Sequence, residues 1–118
     1  MEKGKALFAQ KNYDDAVTAL RKAADYSQAL DVRADGYYTA GECFSAKSDY
    51  KDAIIEYTKC VVLGENPFRA DSMLNIAESY VSLGEKDKAA LAYKDYLGAY
   101  PDGPNAPKAK EALKKLEG

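Results

Sequence analysis

The chain of 118 residues has no histidine, no tryptophan and only two cysteines. The missing histidine removes the commonest general base near neutral pH, every histidine-bearing catalytic triad and the histidine zinc sets. Two cysteines alone cannot complete a structural zinc site, and neither a glycine-rich phosphate loop nor the spacing of an EF-hand loop occurs. Long apolar runs are lacking too. The stretch Cys60-Val61-Val62-Leu63 is representative, far short of the about 20 residues that a spanning helix needs, so membrane insertion is not expected. No sign of charge dominates: 19 acidic and 17 basic residues are interspersed, which leaves a net charge of −2 and no footprint for nucleic-acid phosphates. Neighbouring carboxylates such as Asp14 and Asp15 point in different directions on a helix and suit its positive amino end. These absences predict a protein without catalysis, metal or cofactor.

What the chain has instead is a period. Val32 to Phe44 can be laid over Phe68 to Tyr80 at an interval of 36 residues, and a weaker copy from Pro104 to Leu116 puts Ala106 under Ala70 and Ala34. A second set of echoes, offset by half a unit, starts at Tyr13, Tyr50 and Lys86. Self-similarity on this scale marks solenoids, in which each unit buries its apolar face only against its neighbours. One array over 1-118 is expected, with units at about 1-30, 31-65 and 66-101 and a capping helix at 105-117.

Within the repeats the apolar spacing is helical. Tyr37, Ala40, Gly41 and Phe44 follow i, i+3, i+4, i+7, as do Met73, Ile76, Ala77 and Tyr80, and no period-2 stretch competes. Seven helices are predicted, at about 2-10, 13-28, 31-47, 49-63, 67-83, 85-99 and 105-117, with short connections that force neighbours antiparallel. Asn12 before Asp15 and Asp49 before Asp52 suggest reciprocal caps, and Asn66-Pro67 suggests a cap followed by a proline at the first helical position. Gly64 and Gly84 suit left-handed helix ends. Gly4, Gly41 and Ala77 on first helices face Ala16, Ala53 and Ala89 on second helices, where two backbones can approach, and larger residues such as Leu20, Tyr57 and Tyr93 fill the rest. Most of the ten tyrosines fall on core stripes and read as amphipathic fillers. Cys43 and Cys60 lie at heights differing by roughly 9 Å on the two helices of one unit, which argues against a bridge and for buried thiols.

With these residues in place, the chain resembles a tetratricopeptide repeat protein. Gly41, Phe44, Tyr50, Ala53, Tyr57 and Cys60 match the repeat pattern in order, and Ala77, Tyr80, Gly84, Ala89, Tyr93 and Pro101 match it again. The unit is slightly long, Lys86 replaces a common tyrosine, and Glu65 stands where a proline often ends a unit. The turn from Tyr100 to Pro107 is similar to that of longer repeats in bacterial envelope proteins, such as Tol-Pal coordinators and outer-membrane assembly lipoproteins. That similarity implies a bacterial periplasm or envelope, with the cytoplasm as the alternative. Met1 is followed directly by charged residues without an apolar leader, and the first copy begins partway through its helix, so an excised piece of a larger protein is expected.

The resemblance implies an all-α superhelix whose concave wall is built from the first helix of each unit, and a protein-interaction role. On those helices the stripe beside the core carries Phe8, then Asp35, Tyr38 and Glu42, then Asp71, Leu74 and Glu78, with Lys110 on the last helix. Read functionally, this is a groove for a peptide or helix of another protein, with Phe8, Tyr38 and Leu74 as apolar contacts and the acids drawing basic or amide groups. Read structurally, the acids are a solvated face and Arg33 and Arg69 pair with nearby Asp residues between units. A further expectation is self-association or a spacer role, with Leu7 and Phe8 near an open amino-terminal end that another copy covers.

Overall fold

The computed structural model describes residues 1–118 as seven helices without a strand: α1 (Glu2–Ala9), α2 (Tyr13–Tyr26), α3 (Leu30–Ala46), α4 (Tyr50–Val62), α5 (Arg69–Ser82), α6 (Lys86–Ala99) and α7 (Ala106–Glu117). Each helix packs on the next, which yields three hairpins in a row and α7 laid against the third. The resulting body is elongated, 43 × 27 × 19 Å, with a radius of gyration of 14.2 Å. A compact domain of this length would reach about 13.5 Å.

One turn, used three times, folds the hairpins. Lys11, Ser48 and Gly84 take positive φ (62°, 60° and 76°) just past the ends of α1, α3 and α5. The amide of the following residue then donates back five residues, Asn12 to Leu7 at 2.9 Å, Asp49 to Phe44 at 2.8 Å and Glu85 to Tyr80 at 3.0 Å. This is the Schellman closure of a helix end, which satisfies carbonyls that would otherwise lack donors. Only the third copy uses the glycine that such a conformation favours. The same closure corrects the expected caps. Asn12 and Asp49 sit at ψ of 74° and 72°, not extended, and neither side chain bonds a helix amide. Asn12 instead donates to the Asp15 carboxylate at 3.0 Å.

The connection from α4 to α5 is a different device. Asn66, 8% exposed, donates to the carbonyls of Cys60 (3.1 Å) and Gly64 (2.9 Å) and accepts from the Phe68 amide at 2.8 Å. Helix α5 therefore starts at Arg69, two residues later than expected, with Pro67 in the turn and not in the first helical position. Asn66 pins that turn onto the core.

The hairpins close at the expected glycines but against other partners: Gly4 and Gly41 receive large side chains of the second helix, not Ala16 and Ala53. A Cβ on Gly41 would lie 2.5 Å from the Tyr57 ring, and one on Gly4 would lie 2.6 Å from Leu20. Tyr37, Tyr57, Tyr93 and Tyr96 are buried fillers, and Cys43 and Cys60 are both free and buried. Burial pushes the Cys43 thiol up to about 11. Between hairpins the packing includes one enclosed charge, Glu56 on α4, whose side chain is 0% exposed. Arg21 of α2 reaches it through Nε at 3.2 Å and Nη2 at 2.9 Å, and Lys59 adds a contact at 3.2 Å. The expected pairing of Arg33 and Arg69 with Asp residues does not form. Arg69 serves the Val61 carbonyl, the Tyr100 hydroxyl and Glu65, while Arg33 makes no ion pair and leaves its Nε buried without a partner.

Candidate partner-binding site

Helices α3 and α5 touch directly across the boundary between the second and third hairpins, and this contact sets the inner side of the array. A pocket of about 330 Å³ opens between them. Tyr38, Glu42 and Ser45 of α3 form one side, Asn75, Glu78 and Ser79 of α5 the other, and Tyr50 and Tyr57 of α4 contribute from behind. No lysine or arginine lines it.

The residues singled out from the sequence take distinct places. Glu42 accepts from the Tyr57 hydroxyl at 2.6 Å and from Asn75 Nδ2 at 2.9 Å, both at Oε1. Glu78 lies across the pocket and pairs with Lys108 of α7 at 3.2 Å. Tyr38 is half-buried, its ring 6.0 Å from Tyr57 and 5.4 Å from Phe68. Burial, then the charges of Glu42 and Asp71, push its phenol up to about 12. Burial and the bond to Glu42 drive the Tyr57 phenol far above its ordinary value.

Asp35 sits further along, bonded to Lys5 of α1 at 2.6 Å and to the Thr39 hydroxyl at 3.1 Å. Asp71 and Lys110 are exposed; Lys110 belongs to a separate shallow depression on α7 with Leu113 and Lys114. Phe8 is half-buried against Tyr13, with ring centres 5.8 Å apart, and leans on the first hairpin's core. Leu74 requires a correction. It is 5% exposed and packed with Tyr93, Tyr96 and Ala109, so it cannot offer an apolar contact to a partner. Leu74 and Tyr38 hold the same repeat position, which faces the first helix that follows. The long Tyr38 reaches past Phe68 into the pocket, whereas α7 covers the short Leu74.

The spacing of the stripe does not identify Tyr50, Tyr57, Asn75, Ser79 or Ser82 as pocket residues. Asn75 lies beside the stripe, and Tyr57 is the expected core filler by its ring but reaches the wall with its hydroxyl. Ser79 is 4% exposed and lines the pocket. The available signal was the tyrosine hydroxyl, since a buried phenol must find a partner.

Stacked antiparallel hairpins, closed by one recurring turn and capped by a single helix, define a helical-repeat solenoid. The tetratricopeptide repeat family model matches residues 1–60 and a second repeat model of the same description matches 71–103; the chain belongs to the tetratricopeptide repeat family. It is 34% identical over 70 residues to the photosystem I assembly protein Ycf3 of Synechococcus sp. (strain WH7803), a match covering 58% of this chain and 40% of that protein. It is 26% identical over 96 residues to heat shock protein STI1 of Saccharomyces cerevisiae, covering 81% of this chain and 16% of that one. The chain thus spans well under half the length of these relatives. The crystal structure of MamA superposes with a TM-score of 0.68 over 98% of this chain and 73% of that one, at 23% identity, a likeness of fold.

Proposed function

We propose that this protein is a non-catalytic scaffold that holds a segment of a partner protein along the inner face made by α1, α3 and α5. The observation that carries this reading is the open pocket between α3 and α5, where an aromatic wall stands beside polar groups that the fold leaves facing solvent. The family assignment supports it, as does the similarity to a protein named for an assembly role. Asp35, Tyr38, Glu42, Asp71 and Glu78 are the inner-face residues assigned to the partner, and Lys110 extends the surface onto α7. An envelope setting is supported by the turn from Tyr100 to Pro107 alone. To test the groove, a photoreactive residue replaces either Asp71 on the inner face or Thr58 on α4, and peptides selected from a displayed random library are irradiated. Cross-links from position 71 and not from 58 are expected; the reverse pattern, or none at 71, rejects the groove.

A second reading has its own observation. The amino-terminal hairpin carries an open depression of about 670 Å³ lined by Met1, Leu7, Ala19, Ala23 and Tyr26, the last 83% exposed. Self-association through this end would cover it. Light scattering across a concentration range discriminates, because a monomer at every concentration removes this reading.

A further inference from the structure

We propose that the pocket between α3 and α5 is a subsite for one cationic side chain, the ammonium of a lysine or the guanidinium of an arginine, presented by the partner polypeptide. This inference rests on the groove reading above and narrows it. Glu42 is the anionic partner, with Tyr38 as the aromatic wall.

A repeated pattern isolates Glu42. The same position on successive first helices reaches forward to the next first helix: Lys5 to Asp35, Glu42 to Asn75, and Glu78 to Lys108. The outer two links pair opposite charges. The middle one has no cation, and Glu42 takes part in none of the ion pairs of the molecule, although it is half-buried. Both of its neutral donors bind Oε1, so Oε2 has no donor from the protein. A carboxylate partly withdrawn from water has given up hydration that only a cation or further donors restore.

A second observation points to the same occupant. The Ser79 hydroxyl lines the pocket from a residue that is 4% exposed, and it has no hydrogen-bond partner within the protein. It offers an acceptor for another N–H opposite Glu42. The half-buried Tyr38 ring, which lines the pocket, supplies an aromatic face over which an ammonium or guanidinium is attracted, while Tyr57 contributes only its hydroxyl. A carboxylate, a hydroxyl acceptor and an aromatic face, with no positive group among the lining residues, exclude an anionic side chain and fit a cation.

The test is a nuclear magnetic resonance titration of the whole chain with acetylated, amidated Ala-Ala-Lys-Ala-Ala and Ala-Ala-Arg-Ala-Ala, using Ala-Ala-Gln-Ala-Ala and spermidine as comparisons. In Glu42→Gln the amide oxygen still accepts from Tyr57 and Asn75, so the pocket keeps its shape and loses its charge. Saturable shifts at the amides of Glu42, Asn75 and Ser79 are expected with the basic peptides, weakened about tenfold or more in Glu42→Gln, as when a charge-assisted bond becomes neutral. Equal binding by the glutamine peptide, or unchanged binding by Glu42→Gln, overturns the subsite. Glu42-dependent shifts with spermidine but with neither peptide reassign the cation to a free amine and overturn the polypeptide source. Library peptides that cross-link at position 71 yet are indifferent to Glu42→Gln reject this inference and leave the groove standing, whereas a failure to cross-link rejects the groove itself.

Discussion

Glu56 and Glu42 stand on the two helices of one hairpin, and the protein treats them in opposite ways. Glu56 on α4 is wholly enclosed and meets two cations, Arg21 from the preceding hairpin and Lys59 from its own helix. Glu42 on α3 is half-buried and meets only neutral donors. A buried charge left without compensation is strongly destabilising, so full enclosure at Glu56 goes with full pairing. On the inner face the carboxylate keeps contact with solvent, which lets it persist without a cation. One site holds hairpins together; the other is open to something from outside.

The most severe way to break this contrast is to remove the compensation at Glu56. Arg21→Ala leaves a fully enclosed carboxylate with Lys59 alone and also removes the guanidinium 5.4 Å from the Phe44 ring centre. A loss of about 2 to 4 kcal/mol is expected, the lower part of the range reflecting the remaining lysine. Urea unfolding followed by circular dichroism measures it. The double variant Arg21→Met with Glu56→Leu should recover most of the loss, because neither charge is then stranded. If Arg21→Ala unfolds at the native midpoint, Arg21 is not what sustains Glu56.

Next in size is a change that reaches both sites through one ring. Gly41→Ala would put its methyl 2.5 Å from Tyr57 Cε1, and Tyr57 is too enclosed to step aside. Overpacking costs about 1 to 3 kcal/mol, partly offset by the better helix propensity of alanine. The displaced ring would also withdraw its hydroxyl from Glu42 Oε1, so this variant should lose stability and pocket geometry together. A variant with native stability and an unchanged Tyr57 side-chain signal contradicts the close approach.

This pair of sites also shows what a sequence can and cannot reveal. The seven helices, the core placement of Gly41 and Tyr57 and the inner-face positions of Tyr38 and Glu42 follow from spacing within a repeat, because helical periodicity sorts side chains by face. The same spacing points Gly41 at Ala53 and not at the Tyr57 ring it meets. Leu74 was misplaced because the same face is covered by whatever helix comes next, and that depends on how α7 lies. Glu56 gave no sign of enclosure: its partner Arg21 is 35 residues away, on another hairpin. The caps were misjudged for a related reason. Asn12 and Asp49 have the right side chains, but the preceding backbone closure sets their ψ.

That closure supports a smaller prediction, one that adjusts stability while leaving both glutamates untouched. Ser48 holds φ of 60° at the turn behind Glu42, where the equivalent residue of the third hairpin is Gly84. A side chain in this conformation is strained by about 1 to 2 kcal/mol, and glycine relieves it at the expense of a freer unfolded chain. Ser48→Gly is expected to stabilise by about 0.5 to 1 kcal/mol in a thermal or urea melt, with peptide shifts in the pocket as in the native protein. Destabilisation would mean that the serine side chain contributes an interaction that the turn geometry does not contain.

The smallest effect on folding sharpens the comparison most. Glu42→Gln removes one charge where no cation within the protein depends on it and keeps the oxygen that Tyr57 and Asn75 use. Its unfolding free energy should therefore stay within about 0.5 kcal/mol of native, the range of substitutions that disrupt no packed or paired group. A pronounced fall would show that the charge itself sustains the α3–α5 contact. A slight rise would be informative in the other direction: relief from an uncompensated charge in the free protein is what an acceptor kept ready for an external cation should display, since desolvation of a lone carboxylate opposes folding and its pairing favours binding.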